Sequence, residues 1–245
     1  MEINIKDQLR FLSMNYLFEN WDTEIKKTEK EDWTAAKFLK HVIKKEYEHK
    51  TERSRANRTK SAKAPIEYTI ETYPFAQQPH LNKKRLLSNY ESLNYIHEQR
   101  NIILMGPTGT GKTGLATAFL LNAVNAGHRG RFVLFSDLIN ELWASQADNK
   151  TKTVINKYAS YKCLLIDEIG YLNVETAQVG LFFTLMQKRH KKSCTIITTN
   201  LGFKEWEGYF GHKQLASVLI DRLTDNGHVI NMKKCVGLRA DADVD

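Results

Sequence analysis

The sequence predicts an α/β fold in which helices sandwich a parallel sheet, and two observations carry that prediction. From residue 102 onward, short apolar runs alternate with longer amphipathic stretches. Such alternation stacks parallel strands between covering helices. The second observation is where the glycines fall. The run Ile102, Ile103, Leu104, Met105 leads directly into GPTGTGKT, Gly106 to Thr113, and then into LATAFLLNAVNA. A glycine-rich loop thus joins a buried strand to a helix N-terminus.

Taken in order, Ile5, Leu9, Leu12 and Tyr16 recur at helical spacing, and a polar break follows at Lys26 to Asp32. A second helix places Phe38, Leu39, Val42, Ile43 and Tyr47 on one face, with Asp32 or Thr34 as its cap. It runs on into HKTERSRANRTKSAK, where the apolar stripe gives out and charge remains. Residues 1–64 therefore read as a small all-α N-terminal domain with a basic C-terminal segment. Residues 65–98 read as a connector, interrupted by Pro65, Pro74 and Pro79 and ending in a short helix marked by Leu86, Leu87, Tyr90 and Leu93. Residues 99–245 form the core. Its first helix, Thr113 to Ala126, stops at Gly127, and a strand follows at Phe132 to Phe135. A helix then turns Leu138, Ile139, Leu142 and Trp143 inward. The remaining elements are a strand from Cys163 to Ile166, a helix around Gln178 to Lys188, a strand from Thr195 to Thr199 and a last strand near Val229 to Met232.

The chain has 245 residues, room for one core of this kind and a small appendage, and carries a formal net charge of +8. That charge is concentrated: Lys40 to Lys63 holds nine Lys or Arg against three Glu. Such a stripe suits contact with nucleic-acid phosphates, and a solvated helix face or linker is the alternative. With no membrane-length apolar run and no apolar stretch after the charged start, neither anchor nor secretion signal is expected, and the expected location is the cytoplasm. Cys163, Cys194 and Cys235 form no C-x-x-C pair, and the first two lie in apolar runs as small buried hydrophobes.

The chemistry concentrates in four places. Gly106, Pro107, Thr108, Gly109, Thr110, Gly111, Lys112 and Thr113 match the Walker A pattern G-x-x-x-x-G-K-[ST]. Backbone N–H groups there can curl around the phosphates of a nucleoside triphosphate, with the helix dipole and Lys112 adding positive potential. In CLLIDEIGYL, Asp167 and Glu168 end a buried strand in the manner of a Walker B element. Asp167 with the Thr113 hydroxyl would hold Mg²⁺, and Glu168 would polarise the attacking water. An acidic pair that merely caps the next helix is the alternative. Asn200, after TIITT, is a candidate sensor of the γ-phosphate, or else a turn former. Arg222 in VLIDRL is a candidate arginine finger for a neighbouring subunit, or else a local ion pair with Asp225.

These motifs, with NLGFKEWEGYFG between TTN and VLIDRL, resemble in order and spacing the IstB-type AAA+ ATPases that accompany insertion-sequence transposases, and also the DnaC-like helicase loaders. The resemblance covers residues 74–239 well and the helical domain more loosely. It implies a P-loop NTPase of the AAA+/ASCE type that binds ATP and Mg²⁺, oligomerises as a ring or filament on duplex DNA and assists a partner transposase of a bacterial insertion sequence. It also implies that Asn200 is sensor 1 and that Arg222 acts in trans. One departure concerns KKCVGLR, where Gly237 stands at the family's usual arginine; Arg239 reads as an exposed tail arginine, with a substitute for the family's residue as the alternative. With the tail ending in DADVD, no C-terminal lid domain is expected.

Two other readings stand beside that one. A helicase loader would dock its N-terminal domain on a replicative helicase, although this N-terminal region lacks the cysteines of a zinc-containing loader. A small-molecule kinase also uses a phosphate loop. The Asp167-Glu168 pair, Asn200 and the basic stripe argue against it.

Overall fold

Five parallel strands form one sheet in the order β2-β3-β4-β1-β5, in a computed structural model that describes residues 4–65 and 68–238. They are β1 (Ile102–Met105), β2 (Gly130–Leu134), β3 (Cys163–Ile169), β4 (Cys194–Thr199) and β5 (His228–Asn231). Every strand but the edge pair is buried along nearly its whole length, as a sheet covered on both faces requires. The period of two sorts the side chains between two cores. Ile102, Leu104, Leu165 and Ile196 face one cluster, while Ile103, Met105, Leu164, Ile166 and Ile197 face the other.

The first face is covered by α6 (Lys112–Asn125) and by the segment before the sheet, which contains α4 (Lys83–Ser92) and α5 (Asn94–His97). Ile70, Tyr73, Leu86, Tyr95 and Ile96 from that segment join the core, and the Tyr95 hydroxyl donates to Phe119 O at 2.7 Å. The second face carries α7 (Phe135–Ala144), α8 (Thr151–Ala159), α9 (Thr176–Arg189), α10 (Phe203–Tyr209) and α11 (Lys213–Thr224). Details of this face differ from the sequence reading. Phe135 opens α7 instead of ending β2, and Trp143, expected inside, is 41% exposed. Leu138, Ile139 and Leu142 already fill the inward stripe of that three-turn helix.

The chain divides into two compact units, Met1–Asn57 and Arg58–Asp245. The first holds α1 (Ile5–Phe11), α2 (Asn15–Lys30) and most of α3 (Ala35–Ala62) around Leu9, Leu17 and Val42. Thr34 accepts from Lys37 N at 3.3 Å and caps α3, while Asp32 takes a left-handed φ of 49° in the turn before it. The apolar residues of α3 occupy two adjacent stripes, and only one is covered. Phe38 and Val42 pack inward, whereas Leu39, Ile43 and Tyr47, expected on the same face, are exposed. Two buried glutamates of this unit find partners within it. Met14 gives α2 no side-chain cap, and the Glu46 carboxylate from α3 accepts the Leu17 N–H of its first turn at 2.8 Å. Buried Glu24 accepts from the Tyr16 hydroxyl at 2.5 Å and stands 3.1 Å from His41 Nε2. Among the described residues, no helix is long and apolar enough to cross a membrane.

Candidate functional site

The glycine-rich loop leaves β1 and enters α6 through residues whose conformations the sequence dictates. Gly109 and Gly111 have φ of 84° and 86°, in the region open to glycine without strain. Gly106 is required for another reason: a Cβ there would lie 2.8 Å from the backbone of Met232. The loop is braced from several sides. The Tyr73 hydroxyl donates to Thr110 O at 3.2 Å, the Leu238 amide donates to Gly109 O at 2.8 Å, and the Thr108 and Tyr171 hydroxyls are 2.7 Å apart. Lys112 curls back over the loop, donating through Nζ to Gly106 O at 2.8 Å and to Pro107 O at 2.7 Å.

Beside the loop, the end of β3 places two carboxylates in different environments. Asp167 is 2% exposed; it accepts from Thr113 Oγ1 at 3.1 Å and from Thr198 Oγ1 at 2.5 Å. Burial pushes its carboxyl above the usual range, against the pull of the Thr198 and Thr113 hydroxyls. Glu168 is exposed, and the register between β3 and β4 shifts between Ile166 and Ile169. Its φ is 64°, a left-handed conformation that costs a non-glycine residue on the order of 1 kcal/mol, and its N–H is held by Thr198 Oγ1 at 3.0 Å. One threonine hydroxyl thus fixes both acidic residues. Glu168 and the loop border a cavity of about 320 Å³, which Tyr68, Tyr73, Thr198 and Leu238 help to line. That volume falls in the range of small-molecule sites.

Of the sequence-predicted residues, Lys112, Thr113, Asp167 and Glu168 come together here. Asn200 follows β4 and lies against Gly170, and its Oδ1 is buried without a hydrogen-bond partner. Arg222, on α11, stands off the cavity with its guanidinium 4.6 Å above the Phe183 ring. The alternative ion pair with Asp225 does not form: Asp225 pairs with Lys191 at 2.8 Å and with His190 at 3.7 Å. A Cβ at Gly237 would meet nothing within 4 Å, and Arg239 lies outside the described residues. Sequence reasoning missed Tyr73, Leu238 and Thr198. Only Thr198 carried a signal, as a polar residue at the C-terminal end of an apolar strand.

The model of the IstB-like ATP binding proteins matches residues 7–239. The chain belongs to the IstB-like ATP binding protein family. Its relatives include the ATP-binding protein of insertion sequence IS21 from Pseudomonas aeruginosa, 32% identical over 91% of this chain and 83% of the relative. The corresponding protein of IS5376 from Geobacillus stearothermophilus is 28% identical over 95% and 92%. In fold, this IstB-like chain is similar to a DnaC helicase loader, with a TM-score of 0.56, 21% identity and coverage of 69% of this chain and 98% of the loader. It is also similar to DnaA from Aquifex aeolicus, with a TM-score of 0.59, 20% identity and coverage of 72% and 53%. Those likenesses show a shared fold, and the family is one of ATP-binding proteins.

Proposed function

We propose that this IstB-like protein is a Mg²⁺-dependent ATPase that oligomerises on duplex DNA and assists a transposase. The observation that carries the enzymatic part is the convergence of Lys112, the Thr113–Asp167 pair and exposed Glu168 on one cavity. The donor set fits the metal: a hydroxyl and a carboxylate, 3.1 Å apart, are hard oxygen ligands for an ion that also takes phosphate oxygens and water. Thr113 and Asp167 would hold Mg²⁺, which would supply positive charge to offset that of the phosphates. The chain's own groups position the reactants. Loop amides and Lys112 Nζ hold the β- and γ-phosphates, Glu168 orients the attacking water and accepts its hydrogen, and Asn200 senses the γ-phosphate. Arg222 serves the site of a neighbouring protomer, a role favoured by its place off its own cavity.

The DNA and partner assignments draw on the insertion-sequence relatives and on the basic part of α3, exposed from Thr51 to Asn57. Contacts made mainly to phosphates would give low sequence preference and steep salt dependence. The deciding experiment is electron microscopy of the purified protein with long duplex or single-stranded DNA, with and without ATP. ATP-dependent rings or filaments on duplex are expected. Assembly confined to single strands would overturn the reading in favour of a helicase loader.

A further inference from the structure

At the end of the sheet opposite the phosphate loop, where β3 and β4 begin, lies an open pocket of about 420 Å³. Lys162, Lys188, Lys192 and Ser193 line it, together with Ser160 and Tyr161. Three features set it apart from an ordinary lysine-rich surface. First, its cations lack carboxylate partners among the described residues: Lys188 donates to the neutral Asn156 amide, whereas nearby Lys157 and Lys191 are paired with Glu141 and Asp225. Second, Ser193 is 6% exposed, and its Oγ has no hydrogen-bond partner. A buried hydroxyl left unsatisfied costs on the order of 1 kcal/mol, and a ligand oxygen in the pocket would satisfy it.

The third feature is the charge underneath. Arg189 is 1% exposed, and every acceptor it reaches is neutral. These include Tyr158 O at 2.9 Å, Tyr161 O at 2.8 Å, Cys194 O at 2.5 Å and Thr195 Oγ1 at 3.0 Å. Burial lowers this guanidinium to about 10, so it keeps its charge at neutral pH. A buried cation without an anion is costly, and an anion in the adjoining pocket would offset it. Arg189 is tied directly to that wall, since it donates to Tyr161 O and its own carbonyl accepts the Ser193 amide at 3.2 Å.

We propose that Lys162, Lys188, Lys192 and Ser193 form a second phosphate site, remote from the nucleotide, that holds a phosphodiester of the DNA backbone. The occupant rests on the DNA binding proposed above, whereas the anion preference rests on the pocket alone. The test compares the full chain with the triple variant Lys162→Gln, Lys188→Gln, Lys192→Gln, reading duplex affinity by fluorescence anisotropy across a salt series with ATP. Each phosphate contact contributes about 0.9 to the slope of log affinity against log salt. The variant should therefore show a slope shallower by about 2 to 3, with DNA-free ATP turnover and melting temperature unchanged, and lysine-to-arginine replacements should restore the slope. Parental affinity and slope in the folded glutamine variant would overturn the site. If the parent chain itself fails to bind duplex, the DNA assignment falls, and inorganic phosphate then judges the pocket. Saturable shifts of the Tyr161 and Ser193 amide resonances, lost in the variant, would support it; their absence would overturn it.

Discussion

Glu168 shows how much one residue's backbone can matter. Its left-handed φ sits on the register shift between β3 and β4, so the neighbouring carboxylates diverge, one buried beside Thr113 and one left open to the cavity. Glu168→Gln keeps the shape and removes the proton acceptor. Nucleotide affinity should stay within about twofold while phosphate release falls at least about 10²-fold, as general-base losses do; undiminished turnover would sink the role. Thr198→Val tests the neighbouring support. It removes the hydroxyl shared by Asp167 and the Glu168 amide, and thermal melting should show a loss of about 1–3 kcal/mol. The motif residues were legible because each pattern is contiguous and its spacing encodes one loop. Tyr73 and Leu238 were not, since they reach the cavity from segments outside the motifs, and Thr198 was passed over although it stands two residues before Asn200.

Among the elements, the apolar runs of the sheet were the most legible. Strands buried on both faces leave no polar alternation to confuse, and Ile102–Met105 matched the reading residue for residue. The helical unit was less legible because α3 carries two apolar stripes, Phe38 and Val42 beside Leu39, Ile43 and Tyr47, and periodicity cannot say which one finds a partner. Its stability has an acid limit set by Glu24. Burial pushes that carboxyl up, but the Tyr16 and His41 hydrogen bonds outweigh it and hold the group below its usual value. A depressed carboxylate contributes fully above its unfolded pKa, about 4.3, and loses that contribution as pH falls through the folded value. Glu24→Gln should thus lower the melting temperature near pH 7 and flatten its decline below pH 4.3. Parallel melting curves for parent and variant across that range would refute this account.

For the whole molecule, the decisive question is whether one site needs two protomers. Arg222 lies off its own cavity, and Asp225, its partner in the alternative reading, is taken by Lys191. Arg222→Ala and Lys112→Ala protomers should each be inactive alone. Mixed, they should recover part of the parental turnover, because some interfaces then join an intact loop to an intact guanidinium. No recovery at any mixing ratio would confine Arg222 to its own chain.

The phosphate loop is also where distant parts of the chain are fastened together. Gln78 exchanges two hydrogen bonds with Val236, at 2.8 and 3.0 Å, and two residues further on Leu238 closes onto Gly109. The segment before the sheet and the segment after it therefore meet in a buckle over the loop. Lesions that loosen this buckle, Gln78→Ala or removal of residues 233–238, would be scored in a screen as nucleotide-binding mutants although the Walker motifs are untouched. In this chain the reach of an ATP-binding phenotype extends well past the sequence signature that announces it.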